Sequence, residues 1–271
     1  MSSNFFLKSF RVLLFPFSIL FWAALFVRNW LYDKNIFSST GFGLPVISIG
    51  NLSVGGTGKS PMTEYLAALL KEKYHIAILS RGYKRRTKGY ILANENTTAV
   101  DIGDEPMQFY RKFPDVPVAV GEERLVAIPQ LLHDRPSTQV IILDDAFQHR
   151  AVKPGLNNLL TEYGNLITRD FYLPAGDLRD LKSSYKRADI IIITKCKPGI
   201  ETGEKEKLIR EINPLDKQQV YFTSFEYGNP YHIITGKTVQ LHEHTEVLLV
   251  TGIANPRPLK KLLEEKHSGY H

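Results

Sequence analysis

Two short stretches carry residue types that could handle a nucleoside polyphosphate. The first is Ser53-Val54-Gly55-Gly56-Thr57-Gly58-Lys59-Ser60. Closely spaced glycines let successive backbone N–H groups turn inward on a phosphate, and a helix beginning there adds its positive end. Lys59 can reach the β- and γ-phosphates and the Ser60 hydroxyl can ligate Mg²⁺. The spacing matches G-x-x-x-x-G-K-[ST] except that Ser53 stands at the first glycine position. The second stretch is Asp144-Asp145, at the end of the apolar run Val140 to Leu143. Carboxylates at a strand end suit a Mg²⁺ ion facing a phosphate loop. The plainer alternative is a turn in which Asp144 caps the next segment of chain.

Three further side chains are candidates. Arg81 opens a basic run through Lys88, just after the strand pattern Ile76 to Leu79. Strand ends of this kind hold ligand loops in α/β proteins, which makes Arg81 a candidate phosphate contact. The rest of the run reads as a solvated or membrane-facing surface. Asp104, in Gly103-Asp-Glu-Pro106, sits where a helix over 106–112 should begin, so it is either a cap or a chemical group. Arg179 ends the loop Phe171-Tyr-Leu-Pro-Ala-Gly-Asp-Leu-Arg. Thr194-Lys195 is similar to the base-reading loops of some GTPases, but no aspartate stands at the required position after it.

The elements that must position these groups alternate. Strands are expected at 46–49, 76–79, 116–120, 140–143, 156–160, 188–195, 220–225 and 247–250. Helices are expected at 62–70, 106–112, from 124 through 132, at 205–212 and at 259–266, with a small hairpin at 230–239. The alternation predicts an α/β fold, a P-loop NTPase-like, mostly parallel sheet flanked by helices. The expected organisation is an N-terminal membrane-associated helix over 1–34, a kinase-type core over 35–218 and a C-terminal lobe over 219–271. Val12 to Val27 is free of charge and rich in aromatic residues. As a helix it would reach roughly 24 Å, short of a hydrocarbon core of about 30 Å, and Pro16 should disturb its first turns. It reads as a helix lying in, or dipping into, a membrane surface.

The totals set bounds. The 271 residues suffice for a large core. A formal charge of +6 favours an acidic partner: nucleic acid, anionic lipid or a phosphorylated substrate. The single cysteine, Cys196, excludes an intramolecular disulfide and a multi-cysteine zinc site.

With these pieces placed, the chain resembles the tetraacyldisaccharide 4′-kinase (lipid A 4′-kinase) family of Gram-negative bacteria. The resemblance is carried by residues 49–60, Ser80-Arg-Gly-Tyr83, Gly103-Asp-Glu-Pro106, Asp144-Asp-Ala-Phe-Gln-His149 and Leu173-Pro-Ala-Gly-Asp-Leu-Arg179, in this order. It implies ATP- and Mg²⁺-dependent phosphorylation of the 4′-hydroxyl of a lipid disaccharide 1-phosphate, at the cytoplasmic face of the inner membrane, with no nucleic-acid partner. It also implies Asp104 as base, Asp144 and Asp145 as metal-site carboxylates, and Arg81 and Arg179 as phosphate contacts. The non-glycine at 53 is a habit of that family. Two departures stand out. Asn255 occupies a position where family members commonly carry histidine; an amide does not titrate, which limits it to orienting. The chain ends at His271, where family members continue, so an incomplete C-terminal lobe is expected. The rival reading is a membrane-associated partitioning or targeting ATPase with a deviant P-loop; that class needs a lysine where Val54 stands.

Overall fold

Strand Val140–Leu143 shows how the layers arise. Every residue in it is buried, and alternate side chains enter different cores: Val140 and Ile142 one, Ile141 and Leu143 the other. Ile76 and Ile78 divide from Ala77 and Leu79 in the same way. A strand covered on both faces belongs at the centre of a parallel sheet. The computed structural model describes residues 11, 13–242, 245–251 and 256–266.

Eight strands form one sheet: β1 (Val46–Asn51), β2 (Ile76–Ser80), β3 (Ile91–Leu92), β4 (Val118–Val120), β5 (Val140–Leu143), β6 (Leu156–Glu162), β7 (Ile190–Cys196) and β8 (Gln219–Ser224). Their order is β3-β4-β2-β5-β1-β6-β7-β8. All neighbours are parallel except β3, which runs antiparallel to β4. Because β5 lies between β2 and β1, the C-terminal ends of these three strands adjoin. The chain builds outward from β1 on one side and then, from β6, on the other. The β1 end therefore lies where the strand order reverses, the usual ligand position in such sheets.

The helices are α1 (Phe15–Asp33), α2 (Lys59–Lys71), α3 (Ala99–Ile102), α4 (Asp104–Lys112), α5 (Arg124–Asp134), α6 (Thr202–Ile212) and α7 (Arg257–Lys266). Ala67 of α2 and Met107 and Phe109 of α4 pack into one core, and Ala127, Ile128 and Leu131 of α5 into that on the opposite face. A third cluster joins Leu208 and Ile212 of α6 to Leu159, Ile191 and Ile193. The pattern read from the sequence missed β3, α3 and a 3₁₀ turn at Lys182–Arg187, all too short for periodicity to register.

Helix α1 departs from expectation at its start. Pro16 falls in its first turn, where no intrahelical N–H is required, so the ring begins the helix instead of disturbing it. Only Ser18, Leu25 and Asn29 of α1 are buried, while Leu20, Phe17, Val27, Ile19 and Phe26 are exposed. No helix among the described residues is long and apolar enough to cross a membrane.

The chain divides into two compact units, residues 1–224 and 225–271. Strand β8 pairs with β7, so the first unit runs six residues past the expected boundary at 218. Within the second unit, an antiparallel bridge between Tyr231 and Thr238 forms the expected hairpin, and α7 replaces the expected helix at 259–266 with slightly longer bounds. Among its described residues, 247–250 do not form the expected strand.

Candidate functional site

Strand β1 delivers the chain into the glycine loop, and the loop's conformation explains its composition. Gly55 (φ 110°) and Gly58 (φ 88°) occupy left-handed backbone, and Gly58 is the N-cap of α2. Ser53 does not. It is buried, bridged to Leu178, and its neighbours Val54 and Leu52 bond the same segment: Val54 N–H donates to Asp177 O at 2.7 Å and Arg179 N–H to Leu52 O at 2.7 Å. No glycine is needed at 53 because no positive φ occurs there. The far side of the loop is held by Thr194, whose Oγ1 donates to Thr57 O at 2.8 Å. The Thr194-Lys195 motif thus buttresses the loop.

The two carboxylates after β5 have different environments. Asp144 is fully buried; Thr63 Oγ1 donates to its Oδ1 at 3.2 Å and Ser80 Oγ to its Oδ2 at 3.1 Å. Burial, then the negative charges of Glu105 and Asp145, push its pKa up to about 6, against the pull of Ser80 and Lys59. Asp144 does not cap a helix. Asp145, at φ 48°, is instead clamped by Arg179 through both guanidinium nitrogens, Nη1 donating to Oδ2 at 3.1 Å and Nη2 to Oδ1. Burial alone would raise the Asp145 pKa, but Arg179 and Lys59 hold it below the usual range. Lys59 Nζ stands 3.8 Å from Asp145 Oδ1 and 3.4 Å from Gly55 O. Arg179 is thereby committed to Asp145 and to Asn51 Oδ1 (2.7 Å).

Two loops close the site from β2 and α4. Gly82 and Gly103 are both at positive φ, and each backs onto the other's loop: a Cβ on Gly103 would lie 2.9 Å from Tyr83 O, and one on Gly82 would lie 3.0 Å from Ile102 O. This docking sets the start of α4 against the loop that carries Arg81. Arg81 is exposed. Asp104 is the first residue of α4, is exposed, and is not its cap; Gly103 holds that position. Its neighbour Glu105 accepts a hydrogen bond from Ser60 Oγ at 3.1 Å. Asn255 lies outside the described residues.

Sequence reasoning missed Glu105 and Arg124. Glu105 stands directly beside Asp104, and adjacency was its one signal. Arg124 is buried at the start of α5, where its Nη1 donates to Gly121 O at 2.6 Å and Nη2 to Asp144 O at 3.3 Å. Burial lowers its pKa to about 10, so it stays charged at neutral pH and backs the carboxylate pair. Gly50 is a third such feature: an added Cβ would lie 2.6 Å from Phe147 Cβ, so β1 needs a glycine to let the Asp144-to-His149 turn close against it.

The arrangement gathers Lys59, Arg124 and Arg179 around Asp144, Asp145 and Glu105 at the mouth of a phosphate cradle. Among the described residues, no group of three or more His, Cys, Asp or Glu side chains could hold a metal ion alone. A Mg²⁺ ion bound with nucleotide phosphates needs only one or two carboxylates, and the hard oxygens of Ser60, Glu105 and Asp144 are of the right kind.

The family model for tetraacyldisaccharide-1-P 4′-kinase matches residues 10–270. A tetraacyldisaccharide 4′-kinase of Bacteroides thetaiotaomicron is 47% identical over 263 residues, covering 93% of this chain and 69% of that protein. Its counterpart in Flavobacterium johnsoniae is 46% identical, covering 95% and 76%. The crystal structure of an "apo" form of LpxK from Aquifex aeolicus in complex with ATP superposes with a TM-score of 0.64 at 31% identity, over 80% of this chain and 82% of that one. The chain belongs to the tetraacyldisaccharide-1-P 4′-kinase family.

Proposed function

We propose that this chain transfers the γ-phosphoryl group of ATP to the 4′-hydroxyl of a tetraacyldisaccharide 1-phosphate, a step of lipid A biosynthesis. The observation that carries the reading is the convergence of the phosphate loop with Asp144 and Glu105 at the carboxyl ends of the central strands. Phosphoryl transfer asks the protein chiefly for positioning and charge stabilisation. The loop after Val54, whose own N–H is taken by Asp177 O, and the start of α2 would cradle the phosphates, and Lys59, oriented by Asp145, would meet the β/γ-phosphates. Ser60, Asp144 and Glu105 would hold Mg²⁺ together with the nucleotide. The ion supplies neutralisation of charge on the transferring phosphoryl group. Asp145, held by Arg179, orients cations here and is not a free ligand. Arg81 is open to a substrate phosphate, and Arg179 would reach one by exchanging its hold on Asp145. Asp104, exposed at the start of α4, is placed to orient the attacking hydroxyl and take its proton. Asn255 is proposed to orient a reacting group only.

The same reading places the protein at the cytoplasmic face of the inner membrane, with the apolar face of α1 in the lipid surface and no nucleic-acid partner. The decisive assay incubates the protein with γ-labelled ATP, Mg²⁺ and the lipid disaccharide monophosphate. Label is expected in lipid; label confined to ATP and free phosphate sinks the reading. Asp104→Ala should lose about 10²- to 10⁴-fold in turnover while still binding ATP. Unchanged turnover returns Asp104 to a purely structural place at the helix start.

A further inference from the structure

Of the five basic residues between Arg81 and Lys88, four are exposed and one, Arg85, is turned inward. The Arg85 side chain is 2% exposed. It lies beneath Gly82, where an added Cβ would stand 2.5 Å from Arg85 Cδ. Its Nη2 donates to Gly89 O at 2.5 Å and to Glu122 Oε1 at 2.6 Å. The second oxygen of Glu122 accepts from Gly89 N–H at 3.0 Å. The two ends of the 82–89 loop are thereby clasped together and to the turn between β4 and α5. Burial works against the Glu122 carboxylate, but Arg85 and the Gly89 N–H hold its pKa below the usual range.

The clasp is a poor way to stabilise a fold. Burying a guanidinium is costly. Arg85 Nε and Nη1 are buried with no hydrogen-bond partner among the described residues, a loss that an aliphatic side chain would avoid. What the pair supplies is position. On one side, Arg86 N–H donates to Val100 O at 2.9 Å and Thr87 Oγ1 to Asp101 O. Helix α3 thus hangs from the clasped loop, and it leads through Gly103 into Asp104. On the other side, Gly121 O and Glu122 O accept from Arg124 Nη1 at 2.6 and 3.3 Å, and Arg124 Nη2 donates to Asp144 O. Glu122 therefore joins the segments that carry Arg81 and Asp104 to the turn that seats Arg124 behind Asp144.

We propose that Arg85 and Glu122 are positioning residues for phosphoryl transfer, their ion pair fixing the 81–89 loop and, through it, Arg81 and Asp104 in the arrangement the lipid substrate requires. The proposal rests on the kinase reading above and adds two residues that act through others. Opening the clasp should impair use of the lipid substrate and leave ATP binding alone.

The test compares the full chain with Glu122→Ala, Arg85→Ala and their double variant, in transfer from γ-labelled ATP to the lipid disaccharide monophosphate. Each single variant should lower kcat/KM for the lipid about 10²-fold, with KM for ATP unchanged. The double variant should be no worse than either single, because one loss already opens the clasp. On an Arg81→Ala background, Glu122→Ala should raise KM for the lipid no further. Hydrogen exchange should quicken over 81–89 and 99–104 in every variant of the pair. Glu122→Gln keeps one acceptor of nearly the same shape and should fall between the parent and Glu122→Ala; it carries the test should the alanine variants not fold, and parent-like kinetics in it would count against the pair. Losses that add across Arg85 and Glu122, a KM for ATP that rises with that for the lipid, or unchanged exchange would overturn the proposal. So would a lowered thermal midpoint with unchanged kinetics per folded molecule, which makes the pair a fold contact only. Transfer by the parent with unchanged kinetics in the variants refutes the positioning role and leaves the kinase reading standing. No transfer by the parent removes the kinase reading and, with it, the role of the pair in transfer.

Discussion

Asp144 shows what a single residue does at this site. A carboxylate without water is costly, and two hydroxyl donors offset only part of that cost. Its folded pKa, about 6, lies above the ordinary value of 3.8. The folded state therefore favours the protonated form. The penalty is absent below the unfolded value and grows as pH rises through about 6, reaching on the order of 3 kcal/mol. Asp144→Asn should remove this slope. Denaturant unfolding of the unliganded proteins should give similar stabilities near pH 4 and a more stable variant near pH 8; parallel pH profiles would refute it. The same variant should lose turnover, because an amide cannot supply the negative charge a cation requires. Legibility at this scale depends on the range of the contacts. The phosphate loop was readable because its residues are contiguous. Asp145's partner Arg179, the hydroxyls of Thr63 and Ser80, and the buried Arg124 come from separate elements, and nothing local marks them. Asp104 was readable as a helix-start residue, but that Gly103 and not Asp104 is the cap depends on backbone angles.

At the scale of elements, α1 is the departure from ordinary amphipathic design. Two of its three buried residues, Ser18 and Asn29, are polar, and most of its apolar ones face out. Asn29 is buried; its Nδ2 donates to Asp180 Oδ1 at 2.8 Å and its main-chain and side-chain oxygens accept from Arg150 Nη1 at 3.0 and 3.3 Å. Arg28 Nη2 donates to Gln148 O at 2.6 Å, and Gln148 Nε2 to Asn51 O at 2.5 Å, so α1 is linked through the turn after β5 to the end of β1. Asn29→Leu makes α1 more apolar yet should destabilise the fold by about 1–3 kcal/mol, since Asp180 and Arg150 each lose a buried partner. A thermal midpoint lowered by several degrees is expected; an unchanged or raised midpoint would show that the polar stripe contributes nothing. The central strands were legible because continuous apolar runs bounded by turn signals have few other readings. The inward polar stripe of α1 was not. Ser18 and Asn29 look like interruptions in an apolar run until their partners at 172–184 are known.

For the whole molecule, the question is what the outward face of α1 does. Monomeric proteins seldom leave a contiguous apolar face in water. Leu20 and Val27 are 69% and 54% exposed, so charging them should barely disturb the fold, within about 0.5 kcal/mol. A helix of 19 residues reaches about 28 Å, but its polar stripe is occupied by the protein, so only the opposite face is available to lipid. This predicts shallow immersion along its length. The formal charge of +6 adds attraction to anionic headgroups that salt screens, whereas apolar burial resists salt. The two contributions can therefore be separated. Leu20→Glu/Val27→Glu should lower partition onto anionic vesicles at least tenfold, each lost side chain removing up to about 1.5–3 kcal/mol of burial, with an unfolding midpoint close to the parent's. Raising the salt should weaken the parent only partly, because its apolar face remains. If the double variant sediments with vesicles like the parent, α1 is not the contact and the basic run at 81–88 becomes the surface to test.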